Sequence, residues 1–372
     1  MALEVYRNQG GKKLRCGYTT GTCAALAAQA AARALLLGET PAQASLVTPK
    51  GIPVQAPVLD LCRQPGGAYC AVEKDAGDDF DVTHGMKVGV WLYTAPEGIW
   101  VDGGEGVGRV TKPGLDQPVG AAAINRVPRQ MIAQQLQDVM EQADYHGGLR
   151  CLVVLPQGRE LAAKTFNPNL GIVGGLSVLG TTGIVEPQSL QALLDSIAVE
   201  VRMHAAQGFR GLRVTPGNYG EEFLAAYPKA RQWPLVKCAN FVGDTIDLCV
   251  EHGFRQVLLV GHIGKFIKLA GGVMNTHSRT ADCRAEILTA HAALHGAGAD
   301  TARQLMEAAT TDECIRILDA CGLRQAVLGT VLPKIQHHLD RRAGGGLAIG
   351  AVLFSNEYGL LGETEGARQM ME

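Results

Sequence analysis

The 372-residue chain is poor in aromatic residues, at 5%, and only 19% of it is charged, below the roughly 25% of an average globular protein. Neither sign of charge dominates, since 34 Lys and Arg stand against 36 Asp and Glu for a formal net charge of −2. Without a basic excess there is nothing to neutralise a nucleic-acid backbone or an anionic membrane, so neither partner is expected. The ten cysteines form no Cys-x-x-Cys pair and no Cys/His spacing of a zinc site. Cys249, Cys314 and Cys321 instead sit inside apolar periodicity, where a free thiol acts as a small hydrophobe. The opening residues lack the apolar core of a secretory signal. The longest apolar stretch, Cys23 to Leu37, is broken by Gln29 and Arg33 and is too short to span a bilayer. These absences predict a protein of the reducing cytoplasm.

Glycine is abundant. The 47 glycines are about one residue in eight, where about 7% is ordinary, and they follow neither a collagen period nor linker-like runs. Scattered among apolar segments, they mark tight turns and places where backbone approaches a ligand. With 47% apolar residues the chain can build a substantial core, and its length suits two domains.

The first part reads as α+β. An Ala/Leu helix runs from Cys23 to Leu37 with Gly38 as its stop and Thr19, Thr20 and Thr22 as cap candidates. Short strands follow at Ala44–Thr48, Ala68–Lys74, Met86–Thr94 and Gly98–Asp102. Pro128 then opens a helix with Met131, Ile132, Leu136, Val139 and Met140 at helical spacing. Gly147-Gly148 closes it and sets the expected division into domains 1–147 and 148–372.

Beyond the double glycine, apolar runs at Leu149–Leu155, Leu176–Gly180, Leu212–Thr215, Leu235–Ala239 and Gln256–Val260 alternate with helical patterns such as Ser189–Gln207 and Asp244–His252. That alternation predicts a Rossmann-like, mostly parallel α/β sheet covered on both faces. Helices near 280–295, 301–320 and 324–341 and a late strand Leu347–Phe354 complete it. The box Thr310-x-x-Glu313 can divide the 301–320 segment in two.

Ligands in such sheets bind beyond the carboxyl ends of the strands. Four of these runs lead into loops rich in glycine and hydrogen-bonding groups, namely Thr181-Thr182-Gly183, Pro216 to Gly220, Asn240 to Asp244 and Gly261 to Lys265. Any one is ordinary turn chemistry, but four on one edge suit a small-molecule site. The Gly261–Lys265 segment is no Walker loop, having two residues between its glycines and Phe266 after the lysine. No G-x-G-x-x-G follows a strand, and no Gly-x-Ser-x-Gly elbow supports a hydrolase reading of His277, Ser278 and Asp282. Lys265 and Lys268, one helical turn apart, suit carboxylates, though solvated lysines are the plainer reading. His277 and Arg279 suit an anion, and Asp282 a helix cap. Asp102 to Gly108 matches a D-x-G-x-G-x-G form found in S-adenosylmethionine (SAM) enzymes, yet Thr111-Lys112-Pro113-Gly114 starts no helix, so a glycine-rich turn is expected there. The acidic run from Glu73 to Asp81 lacks a calcium-loop spacing. Thr19-Thr20-Gly21-Thr22 offers hydroxyls and helix amides as an anion cradle.

Taken together, these stretches resemble the CbiD-type cobalt-precorrin-5B C1-methyltransferases of anaerobic cobalamin synthesis. The resemblance is carried by Gly17 to Ala25, Val47 to Gly51, Lys74 to Asp79, Asp81 to Gly85, Gly104 to Gly108 and Thr111 to Leu115. It continues through Lys164 to Asn167, Gly174 to Val185, Pro216 to Gly220, Asn240 to Gly243, Gly261 to Lys265, Lys268 to Gly272 and Thr276 to Arg279. The helical C-terminal region carries little of the signature, and Phe80 stands where the family pattern leads one to expect proline.

The resemblance implies SAM-dependent methylation of ring carbon C1 of a cobalt-containing, ring-contracted tetrapyrrole. Cobalt would arrive inside that substrate, so no protein metal site is required. A non-catalytic tetrapyrrole carrier, or a ligase or kinase acting on a polyanion, is the alternative. On this reading Thr181, Thr182, Asn218, Tyr219, Asn240, Asp244, Gly261 and His262 are expected to line the SAM pocket, with Asp244 on the ribose diol. Thr19, Thr20, Thr22, Lys50, Lys112, Lys265, Lys268, His277 and Arg279 are expected to meet the substrate's carboxylates. A quaternary carbon forms at C1, so no catalytic base is assigned, and homo-oligomerisation stays open.

Overall fold

The computed structural model describes residues 3–9, 11–225 and 232–371 as a mixed α/β chain. It divides into two compact units, Met1–Leu190 and Gln191–Glu372.

In the first unit, helix α1 (Thr20–Leu36) is buried along nearly its whole length. Its alanines leave so thin a surface that it can pack at once on a sheet and on α2 (Arg126–Gln142). The sheet has five strands: β1 (Leu59–Gln64), β2 (Gly67–Glu73), β3 (Lys87–Ala95), β4 (Ile99–Gly103) and β5 (Gly148–Val154), in the order β1-β2-β3-β5-β4. All neighbours are antiparallel except β4 and β5. The predicted face of α2 is the buried one, with Met131, Ile132, Leu136, Val139 and Met140 in the core.

The division at Leu190 corrects the boundary expected at Gly147-Gly148. The run after the double glycine becomes β5 and is ladder-bonded to β3 and β4, so it completes the first unit's sheet and does not start the second. The run Leu176–Gly180 is also no strand of a parallel sheet. Leu176 and Val178 make only single bridges, to Val107 and Ile124.

The second unit begins with α3 (Leu190–Ala206). It continues through β6 (Gly211–Thr215), α4 (Asn218–Leu224), β7 (Leu235–Lys237), α5 (Val242–Glu251) and β8 (Gln256–His262). A four-residue helix, Ile263–Phe266, runs directly into a 3₁₀ segment, Ile267–Gly271. Then come α6 (Arg284–Leu294), α7 (Ala299–Glu307), α8 (Thr311–Ala320), α9 (Arg324–Ala343), β9 (Ala348–Ser355) and β10 (Gly359–Glu363). The 301–320 segment is split as its capping box allows: the Glu313 N–H donates to the Thr310 hydroxyl at 3.1 Å, and the Ala309 N–H to the Glu313 carboxylate at 3.0 Å.

The sheet order is β7-β6-β8-β9-β10. The first four strands run parallel and β10 is antiparallel. Both faces are covered. Leu212, Val214, Val257 and Leu259 pack with the α9 residues Val331, Ile335 and Leu339, while Leu258, Val260, Val352 and Phe354 pack with Leu224 and Ala367. From β6 the chain turns outward to β7, and from β8 it turns the other way toward β9. The order therefore reverses between β6 and β8, where a crevice opens at the strand ends.

Candidate functional site

At that reversal point lies a cleft of about 520 Å³, lined among others by Gly217, Tyr219, His262, Lys265, Asp312 and Asn356, within the size range of ligand pockets. Close backbone approach shapes its floor. A Cβ on Gly220 would sit 1.9 Å from the Thr215 hydroxyl, so only glycine lets α4 start against the end of β6. Tyr219, one residue earlier, is 64% exposed and presents its ring at the rim.

His262 ends β8 and caps the short helix after it, its Nδ1 accepting the Gly264 N–H at 3.1 Å. The neutral imidazole therefore carries its proton on Nε2, 3.8 Å from the Asp312 carboxylate. Asp312 lies in the first turn of α8, and its other oxygen accepts the Ser355 hydroxyl from the end of β9 at 2.6 Å. The Ser355 oxygen in turn accepts the Glu357 and Tyr358 N–H groups. This chain of bonds fixes Asp312 at the mouth of the cleft.

Lys265 is half-buried and has no hydrogen-bond or ion-pair partner among the described residues. Burial pushes its ammonium below the ordinary lysine value, with Cys238 opposing and Lys268 adding to the shift. Lys268 itself is no free cation. It is buried and donates to the carbonyls of Thr276 at 3.2 Å and Ala281 at 2.8 Å.

The cleft thus gathers Tyr219, Gly261, His262 and Lys265 from the expected set. The other expected residues of this unit lie elsewhere. Asn218 accepts the Lys237 ammonium at 2.9 Å. Asn240 is stitched to Thr276 through its side chain at 3.2 Å and its carbonyl at 2.9 Å. Asp244 stands on the first turn of α5, near Arg342, and does not line the cleft. His277 accepts the Arg279 N–H on Nδ1, and the Arg279 side chain is exposed. Asp282 is not the N-cap residue, which is Cys283; its carboxylate pairs with the Arg284 side chain at 2.6 and 2.9 Å and also takes that residue's backbone N–H. Sequence reasoning missed Asp312 and Asn356. The signal for Asp312 was present in the capping box, which sets it in a helix's first turn.

In the first unit the expected anion sites are already filled by the chain. The α1 N-terminus gives its Gly21 N–H to the Leu179 carbonyl at 3.1 Å, its Thr22 N–H to Thr19, and the Thr22 hydroxyl to the Gly183 carbonyl at 2.7 Å. Thr19, Thr20 and Thr22 are all buried, so the cradle expected there is closed. Thr181 and Thr182 belong to the same segment, and the Thr182 hydroxyl closes a local turn with Ile184. Their segment supplies no strand to the parallel sheet. Lys50 pairs with Glu186, and Lys112 lies across Gly171 and donates to the Asn169 carbonyl at 3.2 Å.

The acidic run is likewise spent. Asp75 holds Arg15 at 2.5 and 2.8 Å, Asp78 accepts the Arg15 N–H at 2.6 Å, and Asp79 accepts the Gln188 N–H at 3.0 Å. Asp81 pairs with Lys74, which is 3% exposed, and accepts the Thr83 N–H at 2.8 Å. Burial works to raise the Asp81 carboxyl, but Lys74 and Thr83 outweigh it and hold the group below its usual value. Phe80 is 90% exposed at the tip of this turn. Among the described residues no group of three or more His, Cys, Asp and Glu could hold a metal ion, and no helix is long and apolar enough to cross a membrane.

Residues 7–187 match the family model described as CbiD, and residues 275–365 match the CbiD C-terminal domain. A cobalt-precorrin-5B C(1)-methyltransferase from Ruminiclostridium cellulolyticum is 46% identical over 95% of this chain and 92% of its own. The chain belongs to the CbiD family. A second relative of the same name, from Alkaliphilus metalliredigens, is 40% identical over 100% of this chain and 97% of its own. The crystal structure of the cobalamin biosynthesis protein (cbiD) from Archaeoglobus fulgidus is 28% identical, with a TM-score of 0.40 over 75% of this chain and 87% of that one. The first family match ends three residues before the first unit does, and the second takes in Asp312 and Asn356 of the cleft.

Proposed function

We propose that this chain methylates C1 of cobalt-precorrin-5B to give cobalt-precorrin-6A, using SAM as donor. Identity of 46% across 95% of the chain to a relative of that name carries the reading of the activity. The second unit's sheet is read as Rossmann-like, with the donor in the cleft where the strand order reverses. Bound SAM supplies a sulfonium methyl: the S–CH3 bond breaks, a C1–CH3 bond forms, and the electron pair stays on the sulfur of departing S-adenosylhomocysteine.

C1 becomes quaternary without losing a proton, so the protein's task is placement. The Tyr219 ring offers a flat face to the donor's adenine, and glycines 217 and 220 let backbone approach it. Among the carboxylate binders expected for the tetrapyrrole, Arg279 remains exposed and available. Cobalt enters as part of the substrate.

The test is anaerobic incubation with cobalt-precorrin-5B and methyl-labelled SAM, followed by mass spectrometry. One labelled methyl mapped to C1 is the expected result. Tetrapyrrole bound but unmethylated in the presence of SAM overturns the reading in favour of a carrier.

A further inference from the structure

We infer that Lys265 and Asp312 together take the amino-acid end of the donor, Lys265 its carboxylate and Asp312 its ammonium. This rests on the donor occupying the second unit's cleft. The two side chains are opposite charges lining one cavity, and each has bonding capacity left. Lys265 has no partner among the described residues. Asp312 has committed one oxygen to the Ser355 hydroxyl at 2.6 Å, while the other lies 3.8 Å from His262 Nε2, beyond hydrogen-bond reach.

Neighbouring strands set where both groups start. Lys265 follows β8 directly on the short helix that His262 caps, and Asp312 is tied to the end of β9 by Ser355. A cation and an anion lining one cavity select for a zwitterion, because each can pair with the ligand group of opposite charge. The ribose diol is the poorer match for Asp312. Two vicinal hydroxyls are best held by both carboxylate oxygens, and one of these is already engaged.

The experiment is calorimetric titration of the full chain with two ligands, S-adenosylhomocysteine and 5′-methylthioadenosine. They share the adenosine and the sulfur, but only the first carries the amino-acid group. Lys265→Met and Asp312→Asn are each expected to weaken S-adenosylhomocysteine about 10- to 100-fold and to leave methylthioadenosine within about twofold. The side-chain amide of Asp312→Asn keeps an acceptor for the Ser355 hydroxyl, and retained methylthioadenosine affinity itself reports an intact fold. Lys265→Arg should restore most of the lost affinity.

Equal weakening of both ligands would assign these residues to the adenosine half and overturn the inference. So would an unchanged affinity for S-adenosylhomocysteine. Failure of the unaltered chain to bind either nucleoside would instead overturn the donor-site reading beneath it.

Discussion

The two units use the same kinds of residue to opposite ends. In the first, the threonines, lysines and carboxylates that look most like a binding site are turned inward. Thr22 and Gly21 hold the segment from Leu179 to Gly183, Asp75 and Asp78 hold Arg15, and Lys74 holds Asp81. In the second, Lys265 and one oxygen of Asp312 face a cavity with no partner in hydrogen-bond reach among the described residues. A strongly patterned polar motif is therefore not yet a binding site. It becomes one only where the fold leaves its donors and acceptors unspent.

The comparison breaks most visibly at Lys74. Lys74→Met leaves Asp81 half-buried without its cation, and about 3–5 kcal/mol of stability should be lost in denaturant unfolding at neutral pH. The acid dependence should weaken as well. Because the intact pair holds Asp81 below its usual value, its contribution is present above the ordinary aspartate range and is lost as pH falls through the lowered value. In the variant the Thr83 hydrogen bonds alone oppose burial, which raises Asp81, so the deficit should shrink as the carboxyl protonates. An acid profile parallel to that of the parent chain would show that the pair contributes nothing.

Gly77 comes next. Its φ is +66°, and a Cβ there would lie 2.3 Å from the Arg15 carbonyl, so Gly77→Ala combines left-handed strain with overpacking and should cost about 2–4 kcal/mol. Thermal unfolding measures it. A cost below about 1 kcal/mol would mean that the acidic turn is a pliable rim and not a clamp.

Lys265 should behave in the contrary way. Lys265→Met removes an unpaired charge, so unfolding free energy should change by no more than about 0.5 kcal/mol while donor affinity falls. Burial first, then Lys268, lowers its ammonium against the opposing influence of Cys238. The grip on a carboxylate should accordingly be lost at lower pH than a solvated lysine would allow, with affinity falling as pH rises. Lys265→Arg, whose guanidinium keeps its proton, should flatten that alkaline limb in titrations of S-adenosylhomocysteine.

The smallest effect is expected at Asp244. Since it stands outside the cleft, Asp244→Asn should alter donor affinity less than about twofold in the same titrations. A loss of about tenfold would return the ribose-diol role to it.

Much of the fold is legible in the residues. The alanine run of α1, the 131–140 face of α2 and the split at Thr310 all follow from spacing, propensity and capping, which act within a few residues. The run Leu176–Gly180 shows where this fails, because its apolar residues have the length of a strand and yet lie against the start of α1. At the site, the glycine-edged loops after β6 and β8 are legible as loops that open a cleft, whereas the use of Asn240, Asp244 and Lys268 is not. Lys268 reads as a solvated or ligand-binding cation, and only the path of residues 276–281 turns it into a buried donor to two carbonyls.

By itself the sequence determined the longer helices and most strands of the two five-stranded sheets, the glycine-edged loops and, through its ordered motifs, the family. Short-range periodicity and backbone preference decide the elements, and neither depends on distant partners. Only the tertiary structure decided which polar groups remain free. A hydroxyl, amide or ammonium bonds to whatever the fold brings within about 3 Å. For Thr22 that is Gly183, and for Asp312 it is Ser355, each far along the chain.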